Sequence, residues 1–129
     1  MNSESNAKIS LLIVDDSRVS RMMIRAFALD KHPDWQITEA ASGDEAIKLV
    51  EQQHFDYCTM DINMPGTLGI VAAEQILEKF PTIRIAIFSA NIQESLRSRA
   101  AELGANFVAK PVTEKSVGQA IAFFKGETV

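Results

Sequence analysis

Acidic, hydroxyl and basic side chains follow four short apolar segments of the sequence. Asp15 and Asp16 come directly after the first apolar segment, and Asp61 after the third. Ser89 follows the fourth segment and Lys110 the fifth. Three crowded carboxylates repel one another, so at least one takes up a proton unless a cation intervenes. Mg²⁺ suits such a site, because it binds oxygen atoms, needs few carboxylates and keeps several waters.

This combination of groups predicts phosphoryl-transfer chemistry. A carboxylate can act as a nucleophile and form an acyl phosphate. A bound Mg²⁺ and the ammonium of Lys110 would neutralise charge on the transferring oxygens. Asp61 is the only carboxylate directly after the third apolar segment, and the Met64-Pro65 turn would hold it in place. Taken singly, an acidic pair is often a helix cap and a lysine is often a surface residue. The joint pattern is what indicates function.

The apolar segments alternate with segments of helical spacing, which predicts an α/β fold. The apolar segments are 9–14, 35–40, 55–60, 83–88 and 106–109. Strands alternating with helices form a doubly wound parallel sheet that carries helices on both faces. Such sheets bind ligands beyond the carboxyl ends of their strands, near the point where strand order reverses. We therefore expect the acidic residues, Ser89 and Lys110 to share one edge of the sheet.

Each predicted helix carries an apolar stripe. The stripes are Val19, Met22, Met23, Ala26 and Phe27; Ala46, Ile47 and Val50; Ala72, Ala73, Ile76 and Leu77; Ile92, Leu96, Ala100 and Leu103; and Val117, Ala120, Ile121 and Phe124. Ser42 with Glu45 predicts the start of the second helix, and Gly104 the end of the fourth. These stripes predict that Met22 and Met23 pack against the sheet, and Cys58 is expected in the core.

Length and charge exclude several other classes of protein. The 129 residues suffice for one domain, and a formal charge of −4 gives no attraction to nucleic acid. The single cysteine cannot form an internal disulfide. No apolar run is long enough to span a bilayer and no signal peptide is evident, so a cytoplasmic protein without membrane partners is expected. We predict a flexible N-terminus at residues 1–7, a domain at 8–125 and a tail at 126–129.

Four sequence motifs resemble those of a known family. Residues 11–17 (LLIVDDS), 60–65 (MDINMP), 89–90 (SA) and 109–111 (AKP) resemble the receiver domain of bacterial two-component response regulators, of the chemotaxis-regulator-like kind. The resemblance extends from about residue 9 to residue 124. It implies a flavodoxin-like, five-stranded parallel sheet in the order 2-1-3-4-5.

The resemblance also implies a phosphoacceptor and a Mg²⁺ site. Asp61 would be the phosphoacceptor. Asp16, Asp61 and the backbone carbonyl of Asn63 would ligate Mg²⁺, and Asp15 would act through a water. Lys110 would contact the phosphoryl group, and its peptide bond to the following proline is commonly cis in this family.

A switch pair is implied by the same resemblance, with some departures from the family pattern. Ser89 and Phe107 would form the switch. Phe107 stands where tyrosine is common, so no phenolic hydroxyl is available there. Thr67 and Leu68 stand where relatives often have Met and Asp, which affects the loop shape and any partner that contacts the loop.

The sequence therefore predicts a signalling module rather than an enzyme with external substrates. It would accept a phosphoryl group from a histidine kinase or histidine phosphotransfer protein and catalyse its own phosphorylation and dephosphorylation. It would then control a downstream protein, an output domain or a homodimer through the fourth helix, fifth strand and fifth helix. Phe123 is a candidate anchor on that face. Two alternatives stay open: a Mg²⁺-dependent phosphohydrolase, and a degenerate receiver that serves as a scaffold.

Overall fold

Strands and helices alternate along the whole described part of the chain. The computed structural model describes residues 8–64 and 66–127. Its elements are β1 (Ser10–Val14), α1 (Arg18–Lys31), β2 (Gln36–Ala40), α2 (Gly43–Gln52), β3 (Tyr57–Asp61), α3 (Gly69–Lys79), β4 (Arg84–Ser89), α4 (Glu94–Leu103), β5 (Asn106–Ala109) and α5 (Glu114–Phe124). The predicted flexible N-terminus, residues 1–7, lies outside the described residues, as do the last two residues of the predicted tail. None of the helices described is long and apolar enough to cross a membrane.

The five strands form one parallel sheet in the order β2-β1-β3-β4-β5, which confirms the predicted fold class. After β1 the chain moves outward to β2, and it then returns to the other side of β1 to form β3. Strand order therefore reverses between β1 and β3, where such sheets form a binding crevice. Val14 pairs with Met60 in the register of these two strands, which brings the residues that follow them side by side.

Two hydrophobic clusters fill the space between the sheet and its helices. Side chains alternate across a strand, so Leu12 and Val14 of β1 face the cluster formed with α2, α3 and α4. Leu11 and Ile13 face the cluster formed with α1 and α5. Both faces of the central strands are covered, which explains why their sequences are almost continuously apolar. Cys58 lies fully buried in the first cluster, as predicted.

The predicted buried face of α1 was wrong except at Phe27. Val19, Met22 and Met23 are 64%, 55% and 38% exposed. The residues of α1 that are buried against the sheet are Ile24 and Ala28, and Phe27 packs beside them. Two overlapping apolar stripes run along this helix, and both have helical spacing. Contact with β1 and α5 decides between them, and spacing along the chain carries no information about that contact.

The boundaries of several other elements differ slightly from the predictions. Ile92 lies before α4 and is exposed rather than part of its buried stripe. Asp61 and Ser89 are the last residues of β3 and β4 rather than the residues after them. Gly104 ends α4 with a φ of 79°, as predicted, since glycine adopts this conformation without strain. Ser42 caps α2, and its side chain accepts a hydrogen bond from the Glu45 N–H.

Candidate functional site

Three carboxylates meet at the carboxyl ends of β1 and β3. Asp15, Asp16 and Asp61 each offer an oxygen, and these oxygens all lie within 4.8 Å of one another. Asp15 and Asp61 are only 1% and 4% exposed, whereas Asp16 is exposed. The structure therefore brings together the acidic residues that the sequence singled out, and one of them opens the group to solvent.

Backbone contacts fix the side chain of Asp15. Its Oδ1 accepts a hydrogen bond of 2.8 Å from the Ser17 N–H, and its own N–H donates to the Ala40 carbonyl at 3.1 Å. Ser17 in turn caps α1 by accepting from the Ser20 N–H. Asp15 Oδ2 is buried and has no hydrogen-bond partner among the described residues. Because a buried carboxylate oxygen without a partner is costly, this atom indicates a place for a cation.

The start of α3 lies directly against the backbone of Asp61. A Cβ at Gly69 would collide with the Asp61 carbonyl oxygen, so a glycine is required there. The Gly69 N–H donates to the Ile62 carbonyl at 3.1 Å, which closes the loop between β3 and α3. Asn63, the predicted carbonyl ligand, lies on this loop between buried Ile62 and Met64, and its own side chain is exposed.

The two departures from the family pattern have visible consequences in the same loop. The Thr67 hydroxyl donates to Asp44 Oδ1 at 2.6 Å and ties the loop to the start of α2. Leu68 stands at the N-cap of α3 and makes no side-chain cap bond, because it has no acceptor atom. The loop is therefore held by α2 rather than by a capping side chain of α3.

Lys110 supplies the positive charge of the site. Its Nζ lies 3.0 Å from Asp61 Oδ1 and 3.6 Å from Asp15 Oδ2. The Lys110 N–H donates to the Ser89 carbonyl at 2.9 Å, and the peptide bond between Lys110 and Pro111 is cis, as predicted. The long lysine side chain thus reaches both buried carboxylates from the end of β5.

The single ammonium of Lys110 faces three carboxylates, which leaves an excess of negative charge. Burial raises the pKa of Asp61, and the charge of Asp15 adds to the rise, although the hydrogen bond from Lys110 opposes it. Burial alone would lower the pKa of Lys110, but its hydrogen bond to Asp61 and the charge of Asp15 outweigh burial and raise that pKa. A divalent cation would relieve the remaining repulsion. The oxygen donors, the excess negative charge and the unpartnered Asp15 Oδ2 all fit Mg²⁺.

The hydroxyl of Ser89 is buried and bonded away from Asp61. Ser89 Oγ donates to the Asn91 carbonyl and accepts from the Asn91 N–H, both at 2.9 Å. Asn91 Oδ1 accepts from the Gln93 N–H at 3.0 Å, just before α4. Sequence reasoning did not identify Asn91, although its position two residues after Ser89 is typical of a local side-chain turn.

The aromatic candidates Phe107 and Phe123 are both partly buried, and each ring lies beneath an arginine. Phe107 packs against the first cluster, and the Arg97 guanidinium lies 5.0 Å from its ring centroid. Phe123 packs against the second cluster, and the Arg84 guanidinium lies 4.3 Å from its ring centroid. Arg84 also donates two hydrogen bonds to the Phe123 carbonyl. Phe123 is therefore not a freely exposed anchor.

An open cleft lies beside the acidic group. Its volume is about 520 Å³, and it is lined by Ser20, Met23, Ala90, Lys110, Pro111 and Val112. Lys110 belongs to both features, so the cleft adjoins the acidic group at this residue. Met23 connects the cleft to the exposed apolar residues of α1. The helical spacing predicts that Met23 packs against the sheet, and the structure shows it exposed instead.

The two histidines lie apart from this site. His32 stacks on Trp35 with ring centroids 4.3 Å apart, and burial lowers the pKa of His32. His54 Nε2 lies 3.0 Å from Asp56 Oδ1, before β3. Among the described residues, neither histidine is hydrogen-bonded to Asp15, Asp16 or Asp61.

Residues 11–122 match the response regulator receiver domain family. The chain belongs to this family. The receiver domain is 35% identical over 115 residues to the chemotaxis protein CheY of Listeria monocytogenes serovar 1/2a, which covers 88% of the chain and 95% of that CheY. It is 29% identical over 108 residues to the transcriptional regulatory protein DegU of Brevibacillus brevis, covering 82% of the chain but only 45% of DegU.

A solved structure gives the same fold for the receiver domain. The CheX–CheY–BeF₃–Mg²⁺ complex from Borrelia burgdorferi has a chain with a TM-score of 0.84 and 28% identity, covering 95% of this chain and 93% of that one. The general role of the family is phosphorylation-dependent switching, and receiver domains bind Mg²⁺ at an acidic pocket. The chain thus matches CheY over nearly the whole length of CheY, and it matches less than half of the longer regulator DegU.

Proposed function

We propose that the receiver domain accepts a phosphoryl group on Asp61 from a phosphohistidine of a histidine kinase or histidine phosphotransfer protein. The position of Asp61 carries this proposal. Its buried carboxylate faces Asp15 and Asp16, one of its oxygens is bound by Lys110, and the cleft beside Lys110 is open. A nucleophile, a positive charge and a route of access thus occur at one point.

The transfer exchanges one bond to phosphorus for another. An Asp61 carboxylate oxygen attacks the phosphorus, the bond from phosphorus to the donor imidazole nitrogen breaks, and that nitrogen keeps the electron pair. Asp61 becomes an acyl phosphate. Lys110, now 3.0 Å from Asp61 Oδ1, would move its contact to a phosphoryl oxygen and stabilise the charge that develops there.

The acidic residues would hold Mg²⁺ for this reaction. Asp16, Asp61 and the Asn63 carbonyl would be its ligands, and Asp15 would contribute through a water. When bound, Mg²⁺ would neutralise negative charge on the phosphoryl oxygens and on the carboxylates. The support is the excess of carboxylates over ammonium groups and the unpartnered oxygen of Asp15.

Return to the resting state would follow from hydrolysis at the same residue. Water attacks the phosphorus, the bond between phosphorus and the Asp61 oxygen breaks, and inorganic phosphate leaves. The domain would thereby catalyse its own phosphorylation from the donor and its own dephosphorylation by water. The exposed position of Asp16 and the open cleft leave room for that water.

The exposed face of α1 would dock the phosphodonor. Val19, Met22 and Met23 form an apolar surface, and Met23 joins it to the cleft that contains Lys110 and Pro111. Exposed apolar side chains of this kind mark surfaces that another protein covers. A donor bound there would present its phosphohistidine along the cleft toward Asp61.

Ser89 and Phe107 would act as the switch. Ser89 ends the strand beside β3, so its hydroxyl could leave Asn91 and donate to a phosphoryl oxygen on Asp61. Phe107 would then turn inward and lose its contact with Arg97. Such a step biases a two-state element, as phosphorylation switches do. The surface of α4, β5 and α5 would pass the change to a downstream protein or to a second copy of the chain. A cytoplasmic location stays a prediction.

Labelling by a small phosphodonor tests this function. The protein is incubated with acetyl phosphate, with and without Mg²⁺, alongside Asp61→Asn. We expect phosphoprotein in the wild type with Mg²⁺, and none in the variant or with EDTA. Absence of labelling in the folded wild type would favour the scaffold alternative. Sustained turnover of small phosphate esters would instead favour the phosphohydrolase.

A further inference from the structure

Arg21 links the acidic residues to the edge strand of the sheet. It lies on α1, and its side chain is only 16% exposed. Its Nη1 donates to the Asp15 backbone carbonyl at 2.7 Å, and its Nε donates to Glu39 Oε1 of β2 at 2.9 Å. One guanidinium therefore bridges the end of β1 and the side chain of a β2 residue.

The contact completes the set of bonds that orient Asp15. The Ala40 carbonyl accepts from its N–H, Arg21 binds its carbonyl, and the Ser17 N–H binds its Oδ1. Within the described ranges, Oδ2 is the Asp15 oxygen left without a hydrogen bond, and it faces Lys110 at 3.6 Å. The bonds therefore fix which oxygen of Asp15 faces the site.

The same contact acts on Asp16. The Asp15 carbonyl belongs to the same planar peptide unit as the N–H and Cα of Asp16. A hydrogen bond that holds the carbonyl oxygen therefore also restrains these two Asp16 atoms. Asp16 is exposed, and no side-chain hydrogen bond is recorded for it in the described part of the chain. Arg21 therefore acts on Asp16 through the position of the Asp16 N–H and Cα.

Glu39 keeps Arg21 in this position and balances its charge. Its Oε1 binds Arg21, while its Oε2 lies 3.3 Å from Nη1 of Arg25, which is more exposed. Arg25 shares the helix, the charge and the Glu39 partner, but its recorded contact does not extend to Asp15. Arg25 is therefore a matched control for Arg21.

We propose that Arg21 is a positioning residue for the metal pocket: by holding the Asp15 carbonyl it orients Asp15 and Asp16 for a divalent cation. This rests on the proposed Mg²⁺-dependent function. Arg21 itself touches neither the phosphoryl group nor the metal. Groups that orient the ligands of a metal in this way typically change its affinity by about 10-fold to 100-fold when removed.

Divalent-ion binding to the unphosphorylated protein tests the proposal. Mg²⁺ and Mn²⁺ dissociation constants are measured for the wild type, Arg21→Met, Arg21→Lys and Arg25→Met, together with urea unfolding in EDTA. We expect Arg21→Met to bind about 10-fold more weakly and Arg25→Met to bind as the wild type does. Arg21→Lys should recover part of the loss, because an ammonium can still donate to the Asp15 carbonyl.

The outcomes separate this inference from the proposed function. Equal metal affinity in folded Arg21→Met and the wild type would overturn the inference and leave the metal site standing. A wild type that binds no divalent ion would overturn both. If Arg21→Met does not fold, Glu39→Leu takes its place: it leaves Arg21 present but removes the oxygen that accepts from its Nε, so weaker metal binding supports the proposal and unchanged binding contradicts it.

Discussion

Lys110 reaches past the end of β4 to place its ammonium nitrogen 3.0 Å from Asp61 Oδ1, two strands away. Only a long side chain can make this contact, since β4 lies between the strands that carry the two residues. The pair holds the carboxylate that would attack phosphorus next to the charge that would stabilise the product. Asp15 Oδ2 lies 3.6 Å from the same ammonium and makes no hydrogen bond among the described residues.

The raised pKa of Asp61 predicts a pH-dependent stability in the absence of metal. Burial, and then the charge of Asp15, raise this pKa above the value of about 3.9 expected in an unfolded chain. As the pH rises, the unfolded state loses the proton first, so this group's contribution to the free energy of unfolding falls until the pH passes the raised pKa.

Urea unfolding in EDTA over a series of pH values measures this effect. Asp61→Asn has no proton to lose at this position. Its free energy of unfolding should therefore vary less between the unfolded-state pKa and the raised pKa of Asp61. At pH values above the raised pKa it should exceed the wild-type free energy of unfolding. Asp34→Asn, which changes an exposed aspartate, should keep the wild-type profile. Identical profiles for Asp61→Asn and the wild type would contradict the raised pKa.

Mg²⁺ should stabilise the folded protein through Asp16. A ligand at 100 times its dissociation constant adds about 2.7 kcal/mol to the free energy of unfolding when it binds only the folded state. Asp16→Ala removes an exposed carboxylate at little cost in packing and should lose most of this gain. Thermal melting with and without Mg²⁺ measures it, and Asp30→Ala on α1 is the control. If Asp16→Ala keeps the full Mg²⁺-dependent rise in melting temperature, Asp16 is not a ligand of the metal.

The sequence was sufficient for the sheet and for the chemical groups at its edge. Strand ends can be read from apolar segments, and parallel strands bring their carboxyl ends together, so Asp15, Asp16 and Asp61 could be grouped before the structure. The order of the strands followed from the resemblance to receiver domains. The roles of these residues stay predictions, because proximity alone does not show which group reacts.

Contacts between elements could not be predicted from the sequence. Both apolar stripes of α1 have helical spacing, so only packing reveals that Met22 is exposed. The contact of Arg21 with the Asp15 carbonyl joins residues six apart, a spacing that no helix or turn rule singles out. The turn of Ser89 with Asn91 depends on a rotamer, which residue type does not determine.

Ser89→Ala should separate phosphorylation from switching. The hydroxyl makes two hydrogen bonds to Asn91, so its loss should lower the free energy of unfolding by about 0.5–1.5 kcal/mol for each bond. The variant keeps Asp61 and Lys110 and should still accept phosphate. Its NMR shifts at Phe107 and along α4 should respond much less to beryllofluoride with Mg²⁺ than those of the wild type.

An exposed serine of α4 provides the control for that experiment. Ser95→Ala should respond to beryllofluoride as the wild type does. A full response at Phe107 in Ser89→Ala would show that another group connects the phosphoryl site to β5.

The exposed face of α1 should matter for a protein donor and not for a small one. Met22 is 55% exposed, so Met22→Glu should change stability by less than about 0.5 kcal/mol. Phosphoryl transfer from a phosphorylated histidine protein should slow by about tenfold, equivalent to about 1.4 kcal/mol, because a charge would enter an apolar contact. Labelling by acetyl phosphate should be unchanged, and Ile92→Glu serves as the exposed apolar control outside α1. Equal slowing with both donors would place the defect in the pocket instead.

Locating the phosphoryl group by peptide mass spectrometry tests the central claim most directly. After treatment with acetyl phosphate and Mg²⁺, the wild type should carry one phosphoryl group, on the peptide and residue of Asp61, and Asp61→Asn should carry none. Asp15 and Asp16, whose oxygens lie within 4.8 Å of those of Asp61, are the internal comparison. A phosphoryl group on Asp15 or Asp16 in the wild type, or undiminished labelling of folded Asp61→Asn, would contradict the assignment of Asp61 as the phosphoacceptor.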